Sequence, residues 1–489
     1  MIVYADREEV VSTNAFLRQV QRLSGTDRLI RFGQWESAAI DALCPEADDI
    51  VDPLTAPLPD RLHIRPAEGF AYYALYPEQY REAALRFVRK KQPHACVVIG
   101  IRTIGTTLST VVAEALPCPV WRFTVRPRGH PFDRYLCLSE RLQTEIRRRS
   151  AEWFLVVDEG PGLSGSSFIS VAEKLSSLGI PDDRIVLFPG HEPDAANFRS
   201  QRARERWPKH PRYVEPFDAA RIVPEGARDL SGGAWRELLG CDVAVQGQHE
   251  RRKYLHSGAL WKFAGLGHYG ADKLERARKL EEFVPPTQGL HCGFMLTEWV
   301  DGQPATGLDE SLLDAMARYL AAIRERFPAG DLDYSRLVEM IRVNTGLECE
   351  EPDFSATTVA VDGRMLPHEW IRAPHGWVKT DGLDHHNDHF FPGCQDIAWD
   401  IAGAAAEFGF DAEILADRYT RLVPDNTLKK RLPFYSTAYL AYRIGYCTLA
   451  AETLGETPDG TRFRQLTRTY EKLIIRPACS PPSRQCHRN

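Results

Sequence analysis

Two acids stand directly before a run of glycines and serines in VVDEGPGLSGSS (Val156–Ser167). Asp158 and Glu159 close an apolar stretch, and Gly162, Ser164, Gly165, Ser166 and Ser167 follow them. Carboxylates accept hydrogen bonds from a vicinal diol. Main-chain N–H groups, hydroxyls and a helix N-terminus hold a phosphate. A ribose 5-phosphate presents both of those ends. The same letters also spell G-x-G-x-x-G, the spacing of a dinucleotide loop, but there the acid lies about twenty residues beyond the glycines. Acids placed ahead of the glycines would repel a pyrophosphate, so a sugar phosphate is the expected ligand.

A second chemical feature is a lysine inside an apolar strand. GALWKFAGLG puts Lys262 where its ammonium is costly unless anions meet it, and nucleotide phosphates are one such partner. The charged stretch that follows, ADKLERARKLEEF, offers Glu275 as an ion-pair partner, with Glu281 and Glu282 as rivals. A third is the cluster Asp384, His385, His386, Asp388 and His389. Adjacent histidines cannot all face one ion and the spacing matches no zinc motif. A separate metal site, contacts to substrate or Mg2+, and a polar surface loop all remain open for it.

The elements that must position these groups fall into two patterns. The first part alternates short apolar runs with amphipathic stretches: helix Pro77–Lys91, strand Ala95–Gly100, a helix through Leu116, strand Val120–Val125, helix Leu138–Arg149 and strand Trp153–Val157. A helix over Phe168–Leu178 and a strand over Arg184–Phe188 complete it. Such alternation predicts an α/β fold with a mainly parallel sheet covered on both faces. Between about Trp207 and Gly240 the pattern dissolves into proline, glycine and charge. Beyond it come short strands (Leu260–Phe263, Phe294–Trp299) and long helical patterns (Ser311–Phe327, Phe434–Leu454).

Bulk properties narrow the class. At 489 residues the chain is long enough for two or three full cores, and its net charge of -6 gives no reason to expect a nucleic-acid partner. Eleven cysteines without a C-x-x-C pair suit a reducing compartment. No apolar run suits a signal or a membrane span, so a cytoplasmic, soluble protein is expected, acting on small molecules and with a homo-oligomer left open.

The strand–acid–acid–glycine loop resembles the PRPP motif of type I phosphoribosyltransferases. CVVIGIRTIGTTLS is similar to that family's pyrophosphate loop, which would give Arg102, Thr103, Gly105 and Thr106 a binding role. TVRPRGHPFDR stands in the place of its mobile loop, with Arg126, Arg128 and His130 as catalytic candidates. The resemblance implies Mg2+-assisted attack at ribose C1 with pyrophosphate leaving. The second half resembles the aminoglycoside phosphotransferase and choline kinase-like group. On that resemblance Lys262, Glu275 and the hinge-like TEWVDG with Glu298 bind ATP, and Asp362 in VAVDGRMLPHEWI is the catalytic aspartate. Asp381, nineteen residues later, and His368, with Glu369 beside it, would hold metal, and Asp400 in CQDIAWDIAGAAAEF would be the anchoring aspartate of the family's closing helix. The expected asparagine is replaced by histidine or glutamate, and Gly165 lies one residue further from the acids than in the family.

The expectation is therefore a fusion. Residues 1–215 form a phosphoribosyltransferase-like α/β domain, 216–240 a linker, 241–478 a bilobal kinase-like α+β domain, and 479–489 a flexible tail. It would be a bifunctional transferase using PRPP, ATP and Mg2+. Its rivals are a sensor that binds PRPP or ATP without turnover, and a phosphoribosyl hydrolase or phosphorylase.

Overall fold

The computed structural model describes residues 9–330, 332, 334–354, 357–387 and 393–474. Over these the chain divides into two compact units. The first holds residues 9–223 together with Gly265–Gly270; the second holds Pro224–Ala264 and residues from Ala271 onward.

The first unit carries helices α1 (Gly25–Leu43), α2 (Pro77–Lys91) and α3 (Ile104–Glu114) around strands β1 (Cys96–Ile101) and β2 (Val120–Val125). A small hairpin follows, β3 (Arg128–His130) with β4 (Asp133–Tyr135). Then come α4 (Glu140–Arg148), β5 (Trp153–Val157), α5 (Ser166–Ser177) and β6 (Ile185–Phe188). The main sheet runs β2-β1-β5-β6, parallel throughout. Its central strands are buried, except at Trp153 where β5 begins, as their unbroken apolar runs require. Helix α2 shows why its residues form a helix. Proline opens it, three bases close it, and Tyr80, Ala83, Ala84 and Phe87 bury one face at the spacing of helical turns. Phe87 alone, fully buried, stabilises by roughly 1.5–3 kcal/mol.

The strand order has a functional consequence. The chain leaves β1 toward β2 on one side and returns to β5 on the other, so the reversal falls between β1 and β5. Ligands of open parallel sheets bind at the carboxyl ends of the two strands that flank such a reversal.

The second unit begins with β7 (Arg228–Asp229), β8 (Lys253–His256) and β9 (Ala259–Phe263). Helix α6 (His268–Lys279) leads to β10 (Thr287–His291) and β11 (Phe294–Glu298). These strands form an antiparallel sheet in the order β10-β11-β9-β8-β7. A second small sheet joins β12 (Gln303–Pro304), β13 (Trp370–Ala373) and β14 (Gly376–Lys379). Helices α7 (Glu310–Arg326), α8 (Ala398–Phe408) and α9 (Leu428–Leu454) supply much of the core, with Tyr319, Leu320, Trp399, Tyr435 and Tyr439 fully buried.

The segment 216–240, expected as a linker, contributes structure from Pro224 onward. It provides β7, a 3-10 turn and a short helix at Arg236–Leu239. Its glycines and prolines serve tight turns there. Helix α9 starts at Leu428, earlier than the expected Phe434, and carries Pro433 inside it. None of the described helices is long and apolar enough to cross a membrane, and no disulfide joins the described cysteines.

Candidate functional sites

In the first unit the expected loops after β1 and β5 lie at the two strands that flank the sheet reversal. They pack closely: a Cβ on Gly105 would come within 2.6 Å of the Val157 carbonyl oxygen. Glycine is required there so that the start of α3 can press against the end of β5. Thr106 is buried, with its hydroxyl oxygen lacking a hydrogen-bond partner.

The arginines near this loop are engaged with acids that sequence reading missed. Arg102 Nε meets Asp41 at 2.9 Å, its Nη1 donates to the Thr124 carbonyl at 3.0 Å, and its Nη2 pairs with Asp48. Arg126 donates to Asp41 and, at 2.9 Å, to the Arg102 carbonyl, and its Nη2 reaches the Thr103 hydroxyl at 3.4 Å. Burial alone would raise the Asp41 carboxyl, but the two guanidinium charges outweigh it and hold it below its ordinary value. Arg128 donates to the Cys44 carbonyl. His130 is exposed at the hairpin, where its Nδ1 accepts from the Phe132 N–H.

At the end of β5 both acids are half-buried. Burial is the main cause that pushes Asp158 up to about 7. Glu159 is raised by burial, by Glu68 and by Asp158, although it accepts a hydrogen bond from the Gly69 N–H. The loop then turns through Gly162 (φ +58°) and Gly165 (φ +64°) into α5. The Ser164 and Ser166 hydroxyls both donate to the Pro131 carbonyl at the hairpin tip, at 2.9 and 2.7 Å. Ser167 is half-buried beside them.

In the second unit Lys262 lies on β9, the middle strand, and Leu260 and Lys262 share one face with Lys253 of β8. That face forms one wall of a cavity open to solvent. Leu230, Trp235, Trp299 and Ile371 give it apolar surface; Glu298, His368, Glu369, Thr380 and Asp381 give it polar surface. Lys262 Nζ contacts Asp381 and Asp384, each at 2.5 Å. Burial would lower the Lys262 ammonium, but these two carboxylates raise it.

Glu275 is not brought to Lys262; it lies 3.7 Å from Lys279, and Glu282 pairs with Arg326. What α6 presents instead is Lys273, buried and 2.7 Å from Asp384. Burial, with the charge of Arg251 close by, pulls Lys273 down to about 7. Arg276 of the same helix donates to the carbonyls of Ala360, Val361 and Gly382, which ties the chain entering Asp362 to the chain leaving Asp381.

Asp362 is enclosed, 1% exposed. Its carboxylate accepts from the Tyr319 hydroxyl at 2.6 Å, lies 3.2 Å from Lys379 Nζ, and lies 3.4 Å from His385 Nδ1. Burial opposes ionisation, yet Lys379, His385 and Tyr319 together hold it down at about 2. His385 Nε2 lies 3.5 Å from both Glu369 and Asp381. His368 stacks on Trp235, with ring centres 5.5 Å apart, and burial lowers its pKa. Of the histidine-rich cluster, Asp384 and His385 belong to this buried network; Asp388 and His389 lie outside the described residues.

Two places among the described residues offer carboxylates to a divalent ion, each beside a lysine ammonium. Asp381 is the partly exposed carboxylate beside Lys262, with 26% of its side chain open at the cavity. A single carboxylate plus phosphate oxygens and water is a common Mg2+ set. Asp362, Glu369 and His385 also place ligand atoms within 4.8 Å of one another. There, however, the Lys379 ammonium already stands 2.6 Å from Glu369 and 3.2 Å from Asp362.

No protein-family model and no curated protein match this chain. Solved structures similar to it over about half its length include a choline kinase from Streptococcus pneumoniae, at 16% identity and TM-score 0.32, covering 49% of this chain and 96% of that one. An aminoglycoside 2'-phosphotransferase-IIIa bound to GDP is similar at 13% identity and TM-score 0.33, covering 48% and 93%. A choline kinase from Cryptosporidium parvum is similar at 12% identity and TM-score 0.32, covering 53% and 91%.

Proposed function

We propose that the second unit binds a nucleoside triphosphate in the cleft beside Lys262 and transfers its terminal phosphate to a small molecule. The observation that supports this is the Lys262–Asp381 pair at 2.5 Å, lining a cavity that also offers apolar walls. The apolar wall of Leu230, Leu260, Trp299 and Ile371 suits a base, and the Lys262 ammonium suits phosphate oxygens. Mg2+ held by Asp381 would neutralise charge developing on the phosphates. Asp362 is ionised but sealed. An acceptor hydroxyl reaches its carboxylate only if the contacts from Tyr319 and His385 open. Once opened, the carboxylate, still beside the Lys379 ammonium, would orient the hydroxyl and accept its proton.

The test is titration of ATP with Mg2+ by calorimetry, paired with phosphate release across an acceptor screen. Binding with turnover supports the transferase. Binding without turnover supports the sensor reading, which the enclosure of Asp362 favours. No binding under Mg2+ or Mn2+ removes both.

For the first unit we infer a PRPP site, with phosphoribosyl transfer as its reaction. Its support is the sheet reversal: the Arg102–Thr106 loop and the Asp158–Ser167 loop follow the two strands that flank it. Asp158 and Glu159 would accept from the ribose hydroxyls, while the amides and hydroxyls of Gly162 to Ser167 would hold the 5'-phosphate. PRPP with Mg2+ should raise the melting temperature, and Asp158→Asn with Glu159→Gln should abolish that rise. Protection by NAD in place of PRPP would overturn the assignment.

A further inference from the structure

We propose that Lys379 is a resident cation: its ammonium occupies the centre that Asp362, Glu369 and His385 would otherwise close around a divalent ion. The phosphate site then works with a single metal, at Asp381. The part concerning phosphate transfer rests on the function proposed above; the part concerning the cluster does not.

The geometry is that of a filled site. Lys379 ends strand β14 and is fully buried. Its Nζ lies 2.6 Å from Glu369 Oε2 and 3.2 Å from Asp362 Oδ2, and it donates to the Asp381 carbonyl at 3.1 Å. Those are three oxygens from three segments, oxygen donors of the kind a hard cation takes and matched in number to the three N–H donors of an ammonium. A buried ammonium is very costly without anions, and two carboxylates without a cation are equally so. Each therefore requires the other. His385 completes the ring, with Nδ1 3.4 Å from Asp362 and Nε2 3.5 Å from Glu369. A divalent ion added among these donors would sit in contact with the ammonium and be repelled by it.

The role differs from that of an ordinary core salt bridge. Glu369 and Asp381 also line the cavity, so the ammonium lies at the base of the candidate phosphate site rather than away from it. Lys379 acts through these carboxylates and is a positioning residue. It holds Asp362 and Glu369 in place without any metal, and leaves Asp381, the more exposed carboxylate, to recruit one.

The test is Mn2+ binding by the full chain without nucleotide, followed by electron paramagnetic resonance, in wild type and in Lys379→Met. Wild type should hold no Mn2+ that depends on Glu369. Folded Lys379→Met, with circular dichroism like wild type, should gain one bound Mn2+ per chain, and Glu369→Gln in that background should remove it. A folded Lys379→Met that gains no Mn2+ overturns the proposal. Where Lys379→Met does not fold, anomalous diffraction from wild-type crystals soaked in Mn2+ decides. A peak among Asp362, Glu369 and His385 overturns the proposal, and none there at saturation upholds it. No nucleotide enters either measurement, so failure of the phosphotransferase reading would leave these outcomes unchanged.

Discussion

Asp400 holds the Asp362 turn through two main-chain hydrogen bonds, from the N–H of Asp362 at 2.7 Å and the N–H of Gly363 at 2.8 Å. Both donors are buried, so removing the acceptor leaves two unpaired N–H groups at about 1–3 kcal/mol each. Asp400→Ala should therefore lower unfolding stability by about 2–5 kcal/mol in urea, and Asp400→Asn, which keeps one acceptor, should lose less. A change within about 0.5 kcal/mol for alanine would mean the turn is held by other contacts.

Two of these acids set a pH dependence. Asp158 and Asp400 are each pushed up to about 7, mainly by burial. Between about pH 4 and 7 each binds a proton in the folded chain that the unfolded chain has released. Stability from this source falls as pH rises through that window and levels off above it. Asp362, held at about 2, acts oppositely: its contribution is present above about pH 4 and is lost as pH falls toward 2. Urea midpoints at pH 5, 6, 7 and 8 should decline for wild type more steeply than for Asp158→Asn or Asp400→Asn. Parallel slopes would show that these carboxyls are ionised throughout.

Much of the local structure could be read from the sequence because the signals were local. Helix α2 and strands β2 and β5 have the expected ends: Pro77 and a basic last turn mark the helix, and the unbroken apolar run WFLVV marks β5 as a buried parallel strand. Lys262 was legible as a strand lysine in need of anions. Its partners were not, because Asp381 and Asp384 lie more than a hundred residues away, whereas Glu275 was near at hand on the next helix. Asp41 and Asp48, which engage Arg102 and Arg126, come from a region with no motif, and such pairing is tertiary. Lys379 did give a signal. It sits in the apolar stretch GWVKTD, and the argument applied to Lys262 would have marked it as well.

Lys262 should matter to binding and to folding separately. Its ammonium makes charge-assisted contacts with Asp381 and Asp384 at 2.5 Å each. Lys262→Met leaves those carboxylates short of a cation, which for a buried pair costs about 3–5 kcal/mol. It also removes the phosphate partner, at about 1.5–3 kcal/mol, or roughly 10- to 150-fold in ATP affinity. Calorimetry below the variant's melting range separates the two effects. Lowered stability with unchanged ATP affinity would make Lys262 a structural residue only.

The hairpin of β3 and β4 gives the last prediction. It stands where the resemblance to phosphoribosyltransferases would place a loop that closes on ligand, and its tip already contacts the candidate phosphate loop. The Pro131 carbonyl accepts from Ser164 at 2.9 Å and from Ser166 at 2.7 Å. A serine hydroxyl has one proton to donate. If a 5'-phosphate takes the Ser164 and Ser166 protons, the carbonyl loses both donors at once. The tip's remaining ties run through Arg202, which donates to the Arg134 carbonyl at 2.8 Å and pairs with Asp133 at a solvated position, while Phe132, Asp133 and Tyr135 are exposed. Ligand should therefore loosen the tip, and proteolysis next to Phe132 should be faster with PRPP and Mg2+ than without. Ser164→Ala with Ser166→Ala removes the same two bonds, so the double variant should be cut quickly whether or not ligand is present. Slower cutting of wild type with PRPP would mean that the hairpin keeps its seat and gains contacts to the ligand, as a closing loop would. Equal cutting in wild type and double variant without ligand would show that the two serine bonds do not hold the tip.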